Sequence, residues 1–464
     1  MRYSLDDTIA AIATAPGEAG IGIVRVSGWE ALPILQAVFR PAAPSWEPES
    51  HRMVYGSLRA EGGELLDEVM AVWFKRPRSY TREDVVELHS HGGGVAVRQA
   101  LGRVLRAGAR LAEPGEMTLR AFLNGRLDLA QAEAVLDMVR ARTERGMKAA
   151  MEQLGGALSQ EIREARALLL DVLAHLTATI DFPEDDVPPQ DITPELRVVQ
   201  MALDKLLHNA DRGILLREGI RVAIVGKPNV GKSSLLNRLL RHERAIVTEI
   251  PGTTRDLLEE SLNLRGIPIV LTDTAGIRDT VDIVEALGVE RSRAALQGAD
   301  LILFVLDASQ PLTEQDHALA EALEGRPVVV VENKQDIADR DEGRRTENGE
   351  RRTHNDRPSV PHVRVSALAG TGIEELEEQM WEMVMGGQVA PSDALLVTNP
   401  RHKEAIQQAR DHVVAALASA ALGLPADFLT IDLHAAVNAL GEVTGETATE
   451  DLLDAIFSRF CIGK

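Results

Sequence analysis

The sequence predicts a multidomain protein in which an α+β N-terminal domain precedes an α-helical bundle domain interrupted by an inserted α/β domain. Three observations predict this class. Strand-like apolar runs alternate with a helical stretch up to about residue 120. Helical periodicity fills the blocks before about residue 217 and after residue 387. Between those blocks, apolar strand-like segments each end in a loop rich in Gly, Asp or Asn, which is the order expected in an α/β domain.

Residues 1–121 are expected to form the α+β domain. The strand-like runs cover residues 8–14, 21–27, 69–74 and 85–89, and the helical stretch covers 95–107. The Pro-rich segment PAAPSWEPES, which follows Phe39, reads as a connecting loop.

Residues 122–217 and 387–464 are expected to form one helical domain. Apolar side chains recur at intervals of three and four from residue 129 to 154, and the helical pattern extends from 127 to 180. The segment FPEDDVPPQDITP breaks the pattern, with Asp191 or Thr193 as a predicted helix cap. Helical patterning returns at 401–421, 431–440 and 450–460. The simplest interpretation is a helical domain interrupted by residues 218–386.

The inserted segment begins with GKPNVGKS, from Gly226 to Ser233, between an apolar run and the helix-like SSLLNRLL. Gly226 and Gly231 allow successive backbone N–H groups to point at phosphate oxygens, and the following helix adds its positive dipole end. Lys232 is predicted to reach the β- and γ-phosphates, and the Ser233 hydroxyl to bind Mg²⁺. The predicted nucleotide contacts here are Asn229, Val230, Gly231, Lys232, Ser233 and Ser234.

DTAG, at residues 273–276, follows an apolar strand at 267–271. Asp273 is placed to hold Mg²⁺ through water, and the Gly276 N–H is placed to sense the γ-phosphate. Thr274 completes the predicted contacts of this loop.

NKQD (333–336) and SAL (366–368) follow two further apolar runs. The Asp336 carboxylate can accept hydrogen bonds from guanine N1–H and N2–H₂, a donor pair that adenine lacks. Because an unpaired buried acceptor is costly, Asp336 is predicted to select GTP over ATP. Lys334 is expected to cover the base and Asn333 to brace the loop. The backbone of Ser366 and Ala367 is expected to complete the pocket. The ordered motifs therefore predict a Ras-like P-loop GTPase.

The residue after DTAG is Ile277, where many switch GTPases have a water-orienting glutamine. An isoleucine side chain cannot hydrogen-bond water. The nearby DIVEALG stretch offers Asp282 and Glu285, and the residues alone do not choose between them.

The chain has 464 residues, a net charge of −21, 3% aromatic residues and one cysteine. A general electrostatic grip on nucleic acid is not expected at this charge, so RNA contact requires a local basic face or a partner. The sequence has no secretory signal pattern and no apolar run of 18 residues. We therefore expect a cytoplasmic protein that does not engage a membrane, in agreement with the single cysteine.

Four segments resemble one family closely, namely APGEAGIGIVRVSG (15–28), DVVELHSHGGG (84–94), FLNGRLDLAQAEA (122–134) and the terminal CIGK (461–464). The chain resembles the bacterial tRNA-modifying GTPases known as MnmE or TrmE over essentially its whole length. The resemblance implies a homodimer that acts with MnmG, an FAD-containing flavoprotein, in a heterotetramer or larger complex. The implied reaction adds an aminomethyl or carboxymethylaminomethyl group at C5 of the wobble uridine of certain tRNAs. The implied one-carbon donor is 5-formyl- or methylene-tetrahydrofolate.

By motif position, the resemblance implies an N-terminal folate-binding and dimerisation domain with contacts at Arg25, Glu87, Arg126 and Lys464. The family often has lysine where this chain has Arg126, and a guanidinium forks differently from an ammonium. The cations suit the glutamate carboxylate of folate, and Glu87 suits the N–H edge of the pterin. The resemblance also implies a role for Cys461 as a thiol near the modification centre, against the alternative of a structural thiol.

The resemblance further implies K⁺ binding by Asn229 together with the switch-loop residues Thr248, Ile250 and Thr253. K⁺ can take the role of an arginine finger by spreading developing negative charge. Thr254 is the implied second hydroxyl on Mg²⁺, and Glu285 is favoured over Asp282 as the residue that orients water. Potassium is also implied to pair the GTPase domains across the dimer.

Two alternatives for the function stay open. The chain could be a GTP-gated assembly or regulatory factor without modification chemistry, or a folate-dependent enzyme in which GTP is regulatory. The pair His89 and His91 could be interpreted as a metal site, but no third ligand is evident, so packing against the backbone or in the folate pocket is favoured. Residues 339–357 read as a flexible surface loop.

Overall fold

The computed structural model describes residues 6–43, 45–182, 190–242, 260–272, 298–342, 360–386 and 397–464. These residues form three regions, each with its own hydrophobic core.

The described N-terminal residues form a seven-stranded sheet in the order β3-β4-β5-β6-β2-β1-β7. Neighbouring strands are antiparallel except β1 and β7, which are parallel. Helices α1 (Ala31–Val38) and α2 (Gly94–Arg106) pack on the sheet and share its core. The strands are β1 (Ile9–Ile12), β2 (Ala19–Ser27), β3 (Phe39–Pro41), β4 (Val54–Arg59), β5 (Leu65–Phe74), β6 (Val85–Gly92) and β7 (Arg110–Leu111).

Helix α1 and strand β4 were not predicted from the sequence. Pro33 lies within ALPILQAV and hides its helical character, but its position in the first turn is one that an α-helix tolerates. Strand β4 (VYGSLR) contains a glycine and polar residues, so it lacks an apolar run. Its pairing with β5 from Val54 to Arg59 supplies the stability that its composition does not.

The helical domain combines both helical blocks of the sequence. Its core contains Leu169 and Leu196 from the first block and Ile406 and Leu433 from the second. The first block contains α3 (Glu116–Leu123), α4 (Leu129–Arg140), α5 (Glu144–Leu154), α6 (Ala157–Asp181), α7 (Thr193–His208) and α8 (Ala210–Glu218).

The pattern at 127–180 is divided into three helices by two local signals. Thr143 caps α5 by accepting a hydrogen bond from the Gly146 N–H at 3.1 Å, and α6 begins after Gly156. The N-cap residue of α7 is Ile192, which lies one position from each of the predicted caps, Asp191 and Thr193. Asp191 Oδ1 accepts a hydrogen bond from the Thr193 N–H at 3.0 Å.

The described residues of the inserted domain form a six-stranded sheet in the order β13-β12-β11-β8-β10-β9. All neighbouring pairs are parallel except β9 and β10. Both ends of this domain connect to the helical bundle, as the interrupted arrangement requires. Its strands are β8 (Ile220–Val225), β9 (Glu260–Leu264), β10 (Ile267–Thr272), β11 (Leu301–Asp307), β12 (Val328–Asn333) and β13 (His362–Arg364).

Helices accompany this sheet and complete the P-loop α/β architecture, which confirms the predicted fold class. They are α9 (Lys232–His242), α10 (Glu314–Ala322), α11 (Gln335–Glu342) and α12 (Ile373–Met385). The bundle then resumes with α13 (Pro400–Ala421), α14 (Ala426–Thr444) and α15 (Glu450–Phe457).

The N-terminal and helical regions meet through α3. The domain boundary predicted at residues 121 and 122 falls inside this helix, and Leu119 packs with the Phe457 cluster of α15. Helix α11 extends to Glu342, so the loop predicted from residue 339 begins as helix, while positions 343–357 lie outside the described residues. Among the described helices, none combines the length and apolarity needed to cross a membrane.

Candidate nucleotide site and N-terminal cleft

The phosphate-binding motif lies directly after buried strand β8. Gly226 has φ +157° and Gly231 has φ +96°, so both adopt backbone conformations that favour glycine. A Cβ at Gly226 would lie 2.3 Å from the Val305 carbonyl oxygen, and one at Gly231 would lie 2.2 Å from Asn333 Nδ2. The loop is therefore a tight cradle that larger residues would fill, as a close approach to phosphates requires.

Lys232 and Ser233 occupy the first turn of α9, where backbone N–H groups and the helix dipole favour an anion. Lys232 Nζ donates to the carbonyl oxygens of Gly226, at 2.8 Å, and Lys227, at 2.7 Å. The ammonium is thereby held over the loop. Asn229, predicted to bind K⁺, is exposed and has φ +62°. The hydroxyl of Ser233 is the hard oxygen donor that Mg²⁺ prefers.

Asn333 connects two loops that are distant in sequence. Its Nδ2 donates to the Val230 carbonyl at 2.9 Å, and its Oδ1 accepts from the Ala367 N–H at 3.0 Å. Asn333 is buried, with 2% exposure, so both hydrogen bonds are shielded from water. It links the phosphate loop to the SAL loop.

The predicted base-recognition residues lie together at the same edge of the sheet. The Ser366 hydroxyl donates to Asp336 Oδ1 at 2.5 Å and accepts from the Ala369 N–H at 3.1 Å. These contacts orient the Asp336 carboxylate through Oδ1. Its second oxygen, Oδ2, is not bonded to Ser366. The arrangement suits an acceptor for two adjacent guanine donors.

Lys334 is anchored by Asp307, which was not predicted as a site residue. Its Nζ lies 2.7 Å from Asp307 Oδ2 at the end of β11. Burial alone would raise the pKa of Asp307, but hydrogen bonds from Lys334 and Ser309 hold this pKa below its usual value. Arg238 of α9 is a second missed support, because its Nε donates to the Ala367 carbonyl at 2.8 Å. The sequence signal for Asp307 was its position directly after the apolar run LILFVL, at the end of β11.

Several predicted site residues lie outside the described residues. They include the favoured water-orienting Glu285 and its alternative Asp282. The others are Thr248, Ile250, Thr253, Thr254, Asp273, Thr274 and Gly276.

A second candidate site lies in the N-terminal region. We call it the N-terminal cleft, a cavity of about 550 Å³ whose lining includes Tyr80, Glu87 and Arg126. Beside it, Arg25 forms an ion pair with Glu87 at 2.8 Å. The Tyr80 ring has the guanidinium of Arg25 at 5.5 Å and that of Arg126 at 4.6 Å from its centroid. Arg126 Nη1 also donates to the Tyr80 carbonyl at 3.1 Å.

Tyr80 was not predicted as a site residue, although it precedes the DVVELHSH motif closely in sequence. Burial raises the pKa of its hydroxyl, which contacts Thr118 Oγ1 at 2.9 Å. The contact with Thr118 fixes the ring. The guanidinium groups of Arg25 and Arg126, two predicted folate-binding residues, lie against this ring.

The chain terminus packs against the N-terminal region. Ile462 forms a β-bridge with Pro114, and the Gly115 N–H donates to the Cys461 carbonyl at 3.4 Å. Burial, followed by the positive charge of Arg25, lowers the pKa of Lys464. A Cβ at Gly463 would lie 2.2 Å from the Ile12 carbonyl oxygen, so the residue before Lys464 packs against β1, whose Ala11 pairs with Arg25 of β2. Arg25, Glu87 and Arg126 thus lie together, the segment that contains Lys464 packs against the neighbouring strand β1, and the Cys461 side chain is exposed.

The two histidines considered as metal ligands have other partners. His89 Nε2 lies 3.2 Å from Glu87 Oε2, and His91 Nδ1 lies 2.6 Å from Asp67 Oδ1. Within the described ranges, no group of three or more His, Cys, Asp or Glu residues is arranged to hold a metal.

Taken together, the strand order, the glycine-dependent phosphate loop and the Asn333 bridge define a P-loop GTPase. The family described as MnmE helical domain matches residues 129–461, and that described as GTP-binding protein TrmE N-terminus matches residues 8–126. The chain belongs to the family of tRNA modification GTPases named MnmE.

Curated relatives match this chain from end to end. The tRNA modification GTPase MnmE of Roseiflexus sp. is 51% identical and covers 99% of both chains. That of Heliobacterium modesticaldum is 52% identical and also covers 99% of both chains. A solved structure of Era in complex with MgGDPNP and a 16S ribosomal RNA segment is 29% identical, covers 42% of this chain and 66% of that chain, and has a TM-score of 0.26.

Proposed function

We propose that this chain is a K⁺-stimulated GTPase that modifies C5 of the wobble uridine in certain tRNAs. It adds an aminomethyl or carboxymethylaminomethyl group, using 5-formyl- or methylene-tetrahydrofolate and a flavoprotein partner that supplies FAD. The observation that carries the proposal is the convergence of Arg25 and Arg126 on Tyr80, with Glu87 paired to Arg25, in a member of this family.

The N-terminal cleft has the size and chemistry expected for a folate. Its volume of about 550 Å³ is within the usual range for small-molecule sites. Glu87 is an acceptor for the pterin N–H edge, while Arg126 and Lys464 are cations for the glutamate carboxylate. Tyr80 keeps Arg126 oriented in two ways, through the face of its ring and through its backbone carbonyl oxygen. Tetrahydrofolate, when bound, supplies the one-carbon unit.

At the nucleotide site, Lys232 and the N-terminus of α9 bind and orient the triphosphate. Asp336, held by Ser366, selects guanine. Ser233, Thr254 and Asp273 are the proposed Mg²⁺ donors, of which Ser233 lies among the described residues. When bound, Mg²⁺ would neutralise charge on the β- and γ-phosphates. Asn229 is the proposed side-chain ligand of K⁺, with Thr248, Ile250 and Thr253 as the other ligands.

Two further catalytic roles belong to the proposal. Glu285 orients the attacking water, because Ile277 occupies the position at which many switch GTPases have a glutamine. Cys461 acts near the modification centre, where its thiol is exposed. The proposed assembly is a cytoplasmic homodimer formed through the N-terminal domains, in a complex with the flavoprotein and tRNA.

Mass spectrometry of tRNA nucleosides tests the modification directly. A strain that lacks this protein is expected to have unmodified wobble uridine, and the wild-type chain is expected to restore the modification. A Cys461→Ser variant should restore GTP hydrolysis but not the modification. Full modification in the deletion strain would favour a GTP-gated assembly factor instead.

Replacing K⁺ with Na⁺ at equal ionic strength tests the monovalent cation. The wild-type hydrolysis rate is expected to fall by roughly tenfold or more, since a lost charge-stabilising contact typically costs at least that much. An Asn229→Ala variant should be slow in both salts. Equal rates for the wild type in both salts would contradict the proposed role of Asn229.

A further inference from the structure

A second cavity, of about 800 Å³, lies between the helical bundle and the α/β domain. We call it the interdomain cleft. Its lining includes Asp137 of α4, Gly146 of α5 and Val270 of β10. It also includes six arginines, namely Arg140, Arg142, Arg217, Arg221, Arg401 and Arg459.

Two of these arginines hold the cleft wall together. Arg217 Nε lies 2.7 Å from Asp137 Oδ1, and Arg401 Nη2 lies 2.5 Å from Glu133 Oε2. Both carboxylates are buried, so these pairs are structural. Removing Arg217 would leave the buried Asp137 carboxylate without its paired cation, and removing Arg401 would take one of its cationic partners from Glu133.

The other four arginines lie at the rim and are exposed, namely Arg140, Arg142, Arg221 and Arg459. Arg140 Nη2 donates to the Arg459 carbonyl at 2.7 Å, which uses one of the five N–H donors of its guanidinium. Arg221 belongs to β8, and its backbone N–H, rather than its side chain, donates to Asp300 Oδ2 at 2.8 Å. The rim therefore presents guanidinium groups from both domains.

The charge of the cleft contrasts with that of the chain. Six arginines line it against the carboxylates of Asp137, Glu218 and Asp300, whereas the whole chain carries −21. A local positive surface is what an acidic protein needs in order to bind a polyanion. Among the described residues that line the cleft, the cations are arginines and none is a lysine. The planar guanidinium matches phosphate oxygens in a bidentate manner.

The lining also indicates which part of a nucleic acid the cleft suits. None of the described residues that line it is aromatic, so it offers no ring for base stacking. A free nucleotide would lack a base pocket here. Phosphate contacts position a nucleic acid without reading its sequence, and they need only cations with the right spacing.

Arg459 places the cleft beside the chain terminus. It precedes Cys461 by two residues, a reach of about 7 Å along the backbone. We propose that the interdomain cleft binds the phosphate backbone of tRNA through Arg140, Arg221 and Arg459, which brings the RNA beside Cys461. This inference rests on the proposed function and adds the docking surface for its substrate.

The test compares two full-length variants with the wild type. The first carries Arg140→Ala, Arg221→Ala and Arg459→Ala together. The control carries Arg52→Ala, Arg106→Ala and Arg163→Ala, three exposed arginines outside the cleft whose carboxylate partners are Glu49, Glu61 and Asp128. Binding of an in vitro transcribed tRNA with a wobble uridine is measured from 50 to 200 mM salt. GTP hydrolysis and the thermal unfolding midpoint verify that each variant is folded.

The cleft variant is expected to bind this tRNA on the order of 100-fold more weakly at low salt. Its plot of log affinity against log salt should be shallower by about two to three units, one for each lost phosphate contact. The control should resemble the wild type. Equal affinity and equal slope for the cleft variant and the wild type would overturn the inference.

Nucleoside analysis separates this inference from the proposed function. In the deletion strain, the cleft variant should leave wobble uridine unmodified while its intrinsic GTP hydrolysis stays near the wild-type rate. Normal modification by the cleft variant would overturn the docking surface and leave the proposed function intact. Normal modification in the deletion strain itself would overturn the proposed function.

Discussion

The nucleotide site and the N-terminal cleft are assembled in different ways. The described nucleotide-site residues lie between Gly226 and Ala367, and they follow strands of one mainly parallel sheet. The N-terminal cleft combines Arg25, Glu87 and Arg126 with a C-terminal segment that packs against Pro114 and β1. The strands of one sheet therefore position the loops of the nucleotide site. The N-terminal cleft depends in addition on how the C-terminal segment packs against the N-terminal region.

The two sites also differ in the contacts that hold their side chains in place before a ligand binds. At the nucleotide site, Asn333 and Asp307 fix the loops through short hydrogen bonds within one domain. At the N-terminal cleft, Tyr80 holds two guanidinium groups while the terminal segment contacts Gly115. We therefore expect changes at the nucleotide site to act locally. Changes at the N-terminal cleft should also be sensitive to how the terminus is attached.

The largest expected effect is the loss of the phosphate-binding ammonium. Lys232→Ala should reduce kcat/KM for GTP by on the order of 10²–10³-fold, because a preorganised charge next to the transferred phosphoryl group is lost. Binding of 5-formyl-tetrahydrofolate, measured by calorimetry, should stay unchanged. Lys205→Ala, an exposed lysine on α7, is the matched control. A parallel loss of folate binding would show that the two sites are not independent.

Removing the bridge between the two nucleotide loops should have the next largest effect. Asn333→Ala deletes two buried hydrogen bonds and leaves the Val230 carbonyl and the Ala367 N–H unpaired. A cost of about 2–4 kcal/mol is expected, divided between nucleotide affinity and stability of the α/β domain. Fluorescent GTP binding and chemical unfolding measure the two parts. Asn438→Ala, at an exposed position of α14, should change neither.

A smaller effect is expected for the aromatic ring of the N-terminal cleft. Tyr80→Leu removes the face on which Arg25 and Arg126 lie, so folate affinity should fall by roughly tenfold, the equivalent of one to two cation–π contacts. Tyr80→Phe keeps the face and should retain most of the affinity. If both variants bind folate equally weakly, the hydroxyl contact with Thr118 matters more than the ring.

The smallest expected effect is a pH dependence. Burial and the charge of Arg25 lower the pKa of Lys464 from 10.5. A lysine with a lowered pKa loses its positive charge earlier as the pH rises. Its attraction for a folate carboxylate should therefore decline, by a few-fold, at a pH below 10.5. Lys464→Arg should remove this decline from the calorimetric profile, because arginine stays charged. An identical profile for both proteins would exclude Lys464 from carboxylate binding.

The sequence predicted the fold class because its signals are local. The glycine-rich loop, the apolar strands and the helical periodicity each act within about 20 residues. It did not predict the support from Asp307 or Arg238, because these side chains act on loops that sequence spacing does not bring near them. The position of Tyr80 between two arginines likewise depends on strand pairing across the sheet. The short helix α1 was missed because its stability comes from packing on that sheet.

The helical domain is divided by the insertion, and one buried cluster joins its two parts. Glu133 of α4 accepts a hydrogen bond from Asn399 Nδ2 at 2.8 Å and lies 2.7 Å from His402 Nε2. Burial alone would raise the pKa of Glu133, but His402 and Arg401 hold this pKa well below its usual value. A carboxylate on the first helical block is thus stabilised by partners more than 260 positions later in the chain.

This arrangement sets an order for biogenesis on the ribosome. At about 5–20 residues per second, the partners of Glu133 emerge roughly 15–50 seconds after it. The N-terminal sheet and the α/β domain can each fold within that interval, whereas the bundle must wait for α13 and α14. Lys464 lies further along the chain than the partners of Glu133, so the N-terminal cleft gains this residue only after the buried cluster of the bundle can form.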